Sequence, residues 1–183
     1  MNKIYISGYF TEEDRKLLEN FREELDASGI QLSCRNLTDS IMHSALDFMD
    51  IDMIELGWEF VKSLAFAGSF ELLKAWLKRL WRIITKDKSK PVPFTFSITG
   101  IPSITGTENV KFKISGPLSD DTKESAIEKG FELASQIEQH QYELLKRDIY
   151  YPAFNAHLFR YDPEAETYTE INITDEVKKK QDK

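Results

Sequence analysis

Residues able to do chemistry are sparse in this chain, and their spacing does not gather them. The three histidines are His43, His140 and His157, and the one cysteine is Cys34. No histidine falls in an H-E-x-x-H pattern or stands at metal-ligand spacing from the cysteine, so no metal site is expected, although residues far apart in sequence can converge in a fold. Cys34 would need a nearby base and a lowered pKa to act as a nucleophile. It shares the apolar parity of a strand with Ile30 and Leu32, so it reads as a small buried hydrophobe. No G-x-S-x-G elbow and no Walker-type loop occurs. The polar stretch 99–109, TGIPSITGTEN, is expected to be a loop between two strands. Its backbone groups are a candidate cradle for an anion, but it lacks the lysine of a P-loop. The acid clusters Glu12-Glu13-Asp14 and Asp120-Asp121 stand where helix starts explain them. The reading yields no catalytic residue, no cofactor and no metal ligand.

The stretch that calls for a function is FELLKAWLKRLWRII, Phe70 to Ile84. On a helix, Phe70, Leu73, Leu77, Leu80 and Ile84 follow three-four spacing, and Lys74, Lys78 and Arg82 recur every fourth residue on another side. Trp76 and Trp81 broaden the apolar stripe. Three readings fit a basic amphipathic helix over 70–85. The stripe packs on a sheet, with its bases solvated or set against the C-terminal dipole. Or it docks a protein partner through Trp76, Lys78, Arg79, Trp81 and Arg82, with the tryptophans as anchors. Or it lies on an anionic membrane surface. Burial of the tryptophans discriminates among them.

The elements around this helix are legible from periodicity. Lys3 to Ser7 alternates as a strand; Thr11 caps a helix carrying Leu17, Leu18, Phe21 and Leu25; Gly29 stops it; Ile30 to Cys34 is a second strand, expected parallel to the first. Residues 40–85 hold no proline and predict one bent helix or two, the first with Ile41, Ala45, Leu46, Met49 and Met53, the second from about Ser69 to Thr85, with Gly57 and Gly68 as weak points. A charged connector, 86–93, precedes alternating strands at Phe94–Ile98 and Val110–Ile114, expected to pair around the long 99–109 loop. Ser119 caps a helix carrying Ile127, Phe131, Ala134 and Ile137, expected to reach about Lys146. Residues 156–161 and 167–173 predict a terminal hairpin around Asp162-Pro163.

The chain has 183 residues, 41% of them hydrophobic and 12% aromatic, enough for one domain with a sizeable core. The net charge of −7 argues against nucleic acid as a partner, which needs clustered bases. The charge is uneven: residues 51–90 carry eight bases against five acids, whereas 1–50 carry five against ten and 91–183 carry eleven against sixteen. The N-terminus lacks the apolar run of a signal peptide. The charge-free stretch Ser63 to Phe70 is far short of the ~18 to 20 residues of a membrane span. The expectation is a cytoplasmic, single-domain α+β protein over residues 1–175, with a disordered charged tail at 176–183. It has a mixed β-sheet of about five or six strands, helices mainly on one face, and a long central helical segment.

The run IYISGYFTEEDRKLLENFREEL, then IQLSCRN, then a segment closing in LLKAWLKRLWR, then VKFKISG and a Ser-capped helix, resembles the effector-associated constant component modules. These are small proteins encoded in bacterial conflict and antiphage defence systems. The resemblance covers roughly residues 3–137 and centres on Trp76-Leu77-Lys78-Arg79. This chain departs from the pattern in a central segment with few alanines and glycines (Ala65, Ala67, Gly68 and Ala75) and in an added region at about 148–173. The resemblance implies a non-enzymatic accessory role beside a separate effector protein. It supplies no catalytic residue. The rival readings are a membrane-active effector using the same helix, and a small-ligand receptor or enzyme using the 99–109 loop.

Overall fold

The computed structural model describes residues 2–8, 10–36, 53–85, 94–116, 118–145 and 156–172. Its elements run β1 (Lys3–Gly8), α1 (Glu12–Ala27), β2 (Gln31–Asn36), β3 (Met53–Gly57), α2 (Trp58–Phe66), α3 (Phe70–Thr85), β4 (Phe94–Ser103), β5 (Gly106–Ile114), α4 (Asp120–Glu138), β6 (His157–Asp162) and β7 (Thr167–Ile171). The strands form one mixed sheet of seven in the order β2-β1-β3-β4-β5-β6-β7. The pairs β1–β2, β3–β4 and β5–β6 are parallel, and β1–β3, β4–β5 and β6–β7 are antiparallel. The architecture is α+β, as expected, with one or two strands more than the sequence suggested.

Local chemistry sets the helix ends. Thr11 and Asp14 form a reciprocal capping box, the Thr11 N–H donating to Asp14 Oδ2 at 2.9 Å and the Asp14 N–H to Thr11 Oγ1 at 3.1 Å. Ser119 caps α4 by accepting from the Thr122 N–H at 3.1 Å. Helices α1, α2 and α4 all close in the same way. A residue with positive φ (Gly29, Gly68 or His140) follows the cap, and the next N–H reaches back to Leu25, Leu64 or Gln136 respectively. This is the paired hydrogen bonding of a Schellman motif. In α4 the left-handed residue is a histidine, which explains why the helix ends at Glu138 rather than near Lys146: the stop carries no glycine to reveal it.

Two further expectations are corrected. Residues 53–57 are a strand, so the central segment is not one long helical run. Ile54 and Leu56 are buried and alternate with Glu55 and Gly57, a period of two too short to stand out beside helical neighbours. The proposed helix at 41–49 lies outside the described residues. Nor is 99–109 a long loop. The β4–β5 ladder continues through Ile101↔Glu108, Pro102↔Thr107 and Ser103↔Gly106, and only residues 104 and 105 turn. A register shift lies between Ile98 and Ile101, where Gly100 has φ 76° and donates its N–H to Asn109 Oδ1 at 3.1 Å. This bulge resets the alternation, so Ile98 and Ile101 are both buried. The broken alternation and the polar composition together imitate a loop.

The four helices cover one face of the sheet. Beneath them a column of rings crosses the strands: Trp81 on Phe94, Phe94 beside Phe96, Phe96 on Phe112, and Phe112 on Phe159, with centroids 4.1, 6.0, 4.9 and 5.7 Å apart. Such offset contacts add to burial energy. Helix α4 approaches closely because Gly130 leaves room for Phe96. A Cβ there would stand 2.6 Å from Phe96 Cζ. Gly130→Ala is therefore expected to destabilise the fold by about 1–3 kcal/mol through overpacking, despite the better helix propensity of alanine. Urea titration checks this, and an unchanged or higher midpoint would contradict the packing.

Candidate functional site

Helix α3 carries all five residues proposed for partner binding, and the structure distributes them over different sides. Trp76 and Trp81 lie in the core at 3% and 6% exposure, with Leu73, Leu77 and Leu80 fully buried beside them. Trp81 stacks almost parallel on Phe94. Lys78 is half-buried against α4, and Arg79 and Arg82 point outward. Neither tryptophan is presented to a partner, and replacing either by alanine would remove core packing worth about 3–5 kcal/mol.

The bases of α3 meet acids of the flanking helices. Lys74 pairs with Glu128, Lys78 with Glu124, and Arg82 with Asp120, the last at 2.9 Å. Both helices advance four residues per step in opposite directions, so the pairs form an antiparallel ladder. On the other flank Arg79 pairs with Glu24 of α1, and its guanidinium lies 4.8 Å from the Phe21 ring centroid. Lys74 is itself buried and is also met by Glu71 at 2.7 Å and Glu124 at 3.6 Å. Burial alone would pull its ammonium down, but hydrogen bonds to Glu128 and Glu71 more than reverse this and hold it above the ordinary lysine range. The hydrogen bond from Lys78 keeps the Glu124 carboxyl below its usual value against the opposing effect of burial, and Lys123 and Arg82 do the same for Asp120.

What α3 shows to solvent is a stripe through Leu72, Ala75, Arg79 and Arg82. It continues at its N-terminal end into the α2–α3 corner, Ala65 to Gly68, all exposed. Phe66 there is 95% exposed. The Schellman closure at Gly68 and the Leu72 and Leu73 N–H groups bonded to Ser69 O at 3.1 and 3.2 Å fix the shape of this corner. Sequence reasoning noticed the charge-free SLAFAGSF only as too short to span a membrane.

A second constellation sits at the far end of the covered face and was missed entirely. His157 is buried on β6 between two carboxylates, Nδ1 lying 2.6 Å from Glu170 Oε1 of β7 and Nε2 3.4 Å from Glu108 Oε2 of β5. Glu108 Oε1 accepts from Thr105 Oγ1 at 2.6 Å and Ser103 Oγ at 3.2 Å, and Glu170 Oε2 accepts from the Leu145 N–H at 3.0 Å. Tyr142 also reaches Glu170, and burial with that negative charge raises its phenol pKa. The two acids face opposite ring nitrogens, so their oxygens do not converge on one point as metal ligands must. Among the described residues, no group of three or more His, Cys, Asp or Glu side chains is placed to hold a metal ion. The available signal was parity. Glu108 shares a strand face with Val110, Phe112 and Ile114, and His157 with Phe159 and Tyr161. A charged or titratable residue at a core position of an alternating strand is out of place unless it has partners.

Of the other candidates, Cys34 is half-buried against the core, and burial raises its thiol pKa despite a hydrogen bond with Arg22, the opposite of an activated nucleophile. His140 forms the end of α4, and His43 lies outside the described residues. No described helix is long and apolar enough to cross a membrane. No family model, characterised protein or solved structure matches this chain.

The ladder carries a pH signature. Carboxylates whose folded pKa is depressed contribute stability that is present above their unfolded value and lost as pH falls through the folded one. The melting temperature is therefore expected to drop as pH falls below about 4.5, the ordinary glutamate value, and on through the lower folded value. Glu124→Gln should melt lower than the natural chain near neutral pH and decline less steeply over that range. Parallel melting curves would show that Glu124 is not held by Lys78.

Proposed function

We propose that this chain is a non-enzymatic interaction component that docks an effector protein, and that the contact is made by the α2–α3 corner with the outward stripe of α3. The observation that carries this is Phe66, a phenylalanine 95% exposed at the end of α2, where a turn of fixed shape follows. Covering its ring is worth about 1.5–3 kcal/mol. The fixed turn avoids the ordering cost that a loose loop would add. Exposed Ala65, Ala67, Leu72 and Ala75 extend the apolar contact, and Arg79 and Arg82 continue it along the helix.

Charge says what fits this surface. Helix α1 carries seven acids against three bases and α4 six against two, while α3 carries four bases against one acid and α2 one of each. The helical layer is therefore acidic in sum. Beside the corner Glu71 is exposed, whereas Lys74, which is paired with it, is buried. The matching partner has an apolar pocket with Lys or Arg opposite Glu71 and acids toward Arg79 and Arg82. An anionic lipid surface is repelled by the acidic sum of the helical layer, and Trp76 and Trp81 would have to leave the core to reach it. The resemblance to effector-associated constant component modules supplies the class of partner, a separate effector of a bacterial defence system.

The test is co-expression with effector proteins encoded by neighbouring genes. The natural chain is expected to retain one of them on an affinity column. Phe66→Asp and Leu72→Asp should each lower retention at least tenfold, corresponding to about 1.4 kcal/mol or more, with melting temperature unchanged. Retention by Phe66→Asp at the natural level would overturn the assignment. So would Phe66-dependent co-flotation with phosphatidylglycerol vesicles, which would give the corner to lipid.

A further inference from the structure

We propose that β7 is a self-pairing edge, through which two copies of this chain join their sheets into one. The argument is independent of the docking corner. Among the described residues, β7 pairs only with β6, so one side of its backbone offers N–H and C=O groups to a further strand. Natural edges are blunted by charge, proline or a bulge. The TYTEI of β7 has no proline, its ladder with β6 runs without a register shift, and its one charge, Glu170, is turned inward to His157. Its other residues are Thr, Tyr and Ile, types that favour strands. The opposite edge strand, β2, reads QLSCRN and carries the exposed Arg35.

The edge is held in shape before any partner arrives. Tyr168 donates its hydroxyl to Ala126 O of α4 at 2.9 Å, Lys129 of α4 reaches the Glu166 carbonyl, and Glu170 Oε2 accepts from the Leu145 N–H at 3.0 Å. The inward side chains of the strand are thus tied to the helical side, and pairing has little ordering cost left to overcome. Leu145, set against β7 by that last bond, is 47% exposed. It adds apolar area on the helical side of the edge, and Ile171 adds more on the other side.

The sequence of the strand selects a second copy as the occupant. In an antiparallel pairing about a two-fold axis at Thr169, Thr169 faces its own mate, Thr167 faces Ile171, and Tyr168 faces Glu170. No like charges stand opposite each other. The outward positions become Thr–Thr and Thr–Ile pairs, which are favourable cross-strand neighbours. The axis is perpendicular to the sheet, so both helical layers lie on one side. The contact is isologous and closes at two copies. With five residues from each strand it is smaller than a standard interface of about 1,600 Å², so association is expected at micromolar rather than nanomolar concentration.

Sedimentation equilibrium of the intact chain, from about 1 to about 200 μM, tests this. The natural chain is expected to pass from monomer to dimer across that range. Thr169 is exposed, so Thr169→Lys should leave the melting temperature unchanged while setting two like charges on the axis, and should weaken the dimer at least tenfold. Thr169→Glu should do the same, and an equimolar mixture of the two variants should pair again, because only a residue on the axis meets its own mate. Phe66→Asp should dimerise as the natural chain does. A natural chain that stays monomeric throughout, a dimer that survives Thr169→Lys, a mixture that does not pair, or a dimer lost in Phe66→Asp would each overturn the proposal.

Discussion

Helix α3 is a cationic rod laid between two anionic ones, and the helical layer depends on that arrangement. Its buried stripe fixes which side meets the sheet, and its bases fix where along α4 and α1 it comes to rest. The apolar seam of Leu73, Trp76, Leu77, Leu80 and Trp81 supplies most of the stabilisation, because exposed ion pairs contribute little each. The ladder contributes register. A slip of half a turn would move Lys74, a buried cation, off Glu128, the acid of α4 that makes its burial tolerable, while Glu71 of its own helix travels with it. Position along the seam is therefore set by the one pair that is expensive to lose, and the more exposed pairs follow.

The same arrangement reshapes the functional question. A basic helix with two tryptophans suggests a docking or membrane surface when viewed alone. Within the fold its tryptophans complete an aromatic column and its bases answer acids of the same chain. What remains for a partner is the corner before α3, held by a Schellman turn, and the outward stripe, whose arginines also answer Glu24 and Asp120. At the opposite end the fold buries a histidine between two acids. There, too, polar residues on a core face are tolerated because each has a partner.

Much of the fold was legible where one signal acted alone. The capping box at Thr11, Gly29 and the alternation of Ile4 with Ile6 are local, and the β1–α1–β2 unit followed from them. The harder elements had competing or missing signals. Strand β3 is five residues long and leads straight into a helix, so its period of two is brief. The β4–β5 hairpin hides behind a bulge. Helix α4 ends on a left-handed histidine. The four-residue spacing of Lys74, Lys78 and Arg82 was visible, and so was the matching spacing of Asp120, Glu124 and Glu128. Their meaning is relational: it emerges only when two helices are known to be antiparallel neighbours. The Glu108–His157–Glu170 cluster is of the same kind, drawn from three strands joined by a parallel and an antiparallel pairing.

The account rests on α3 being keyed into its neighbours rather than presented to solvent, and a charge exchange across the middle rung of the ladder tests this most directly. Lys78→Glu is expected to lower the melting temperature by setting two carboxylates against each other, and adding Glu124→Lys should restore most of the loss. An unchanged melting temperature for Lys78→Glu alone, or no recovery in the double variant, would mean that α3 does not lie along α4 in this register.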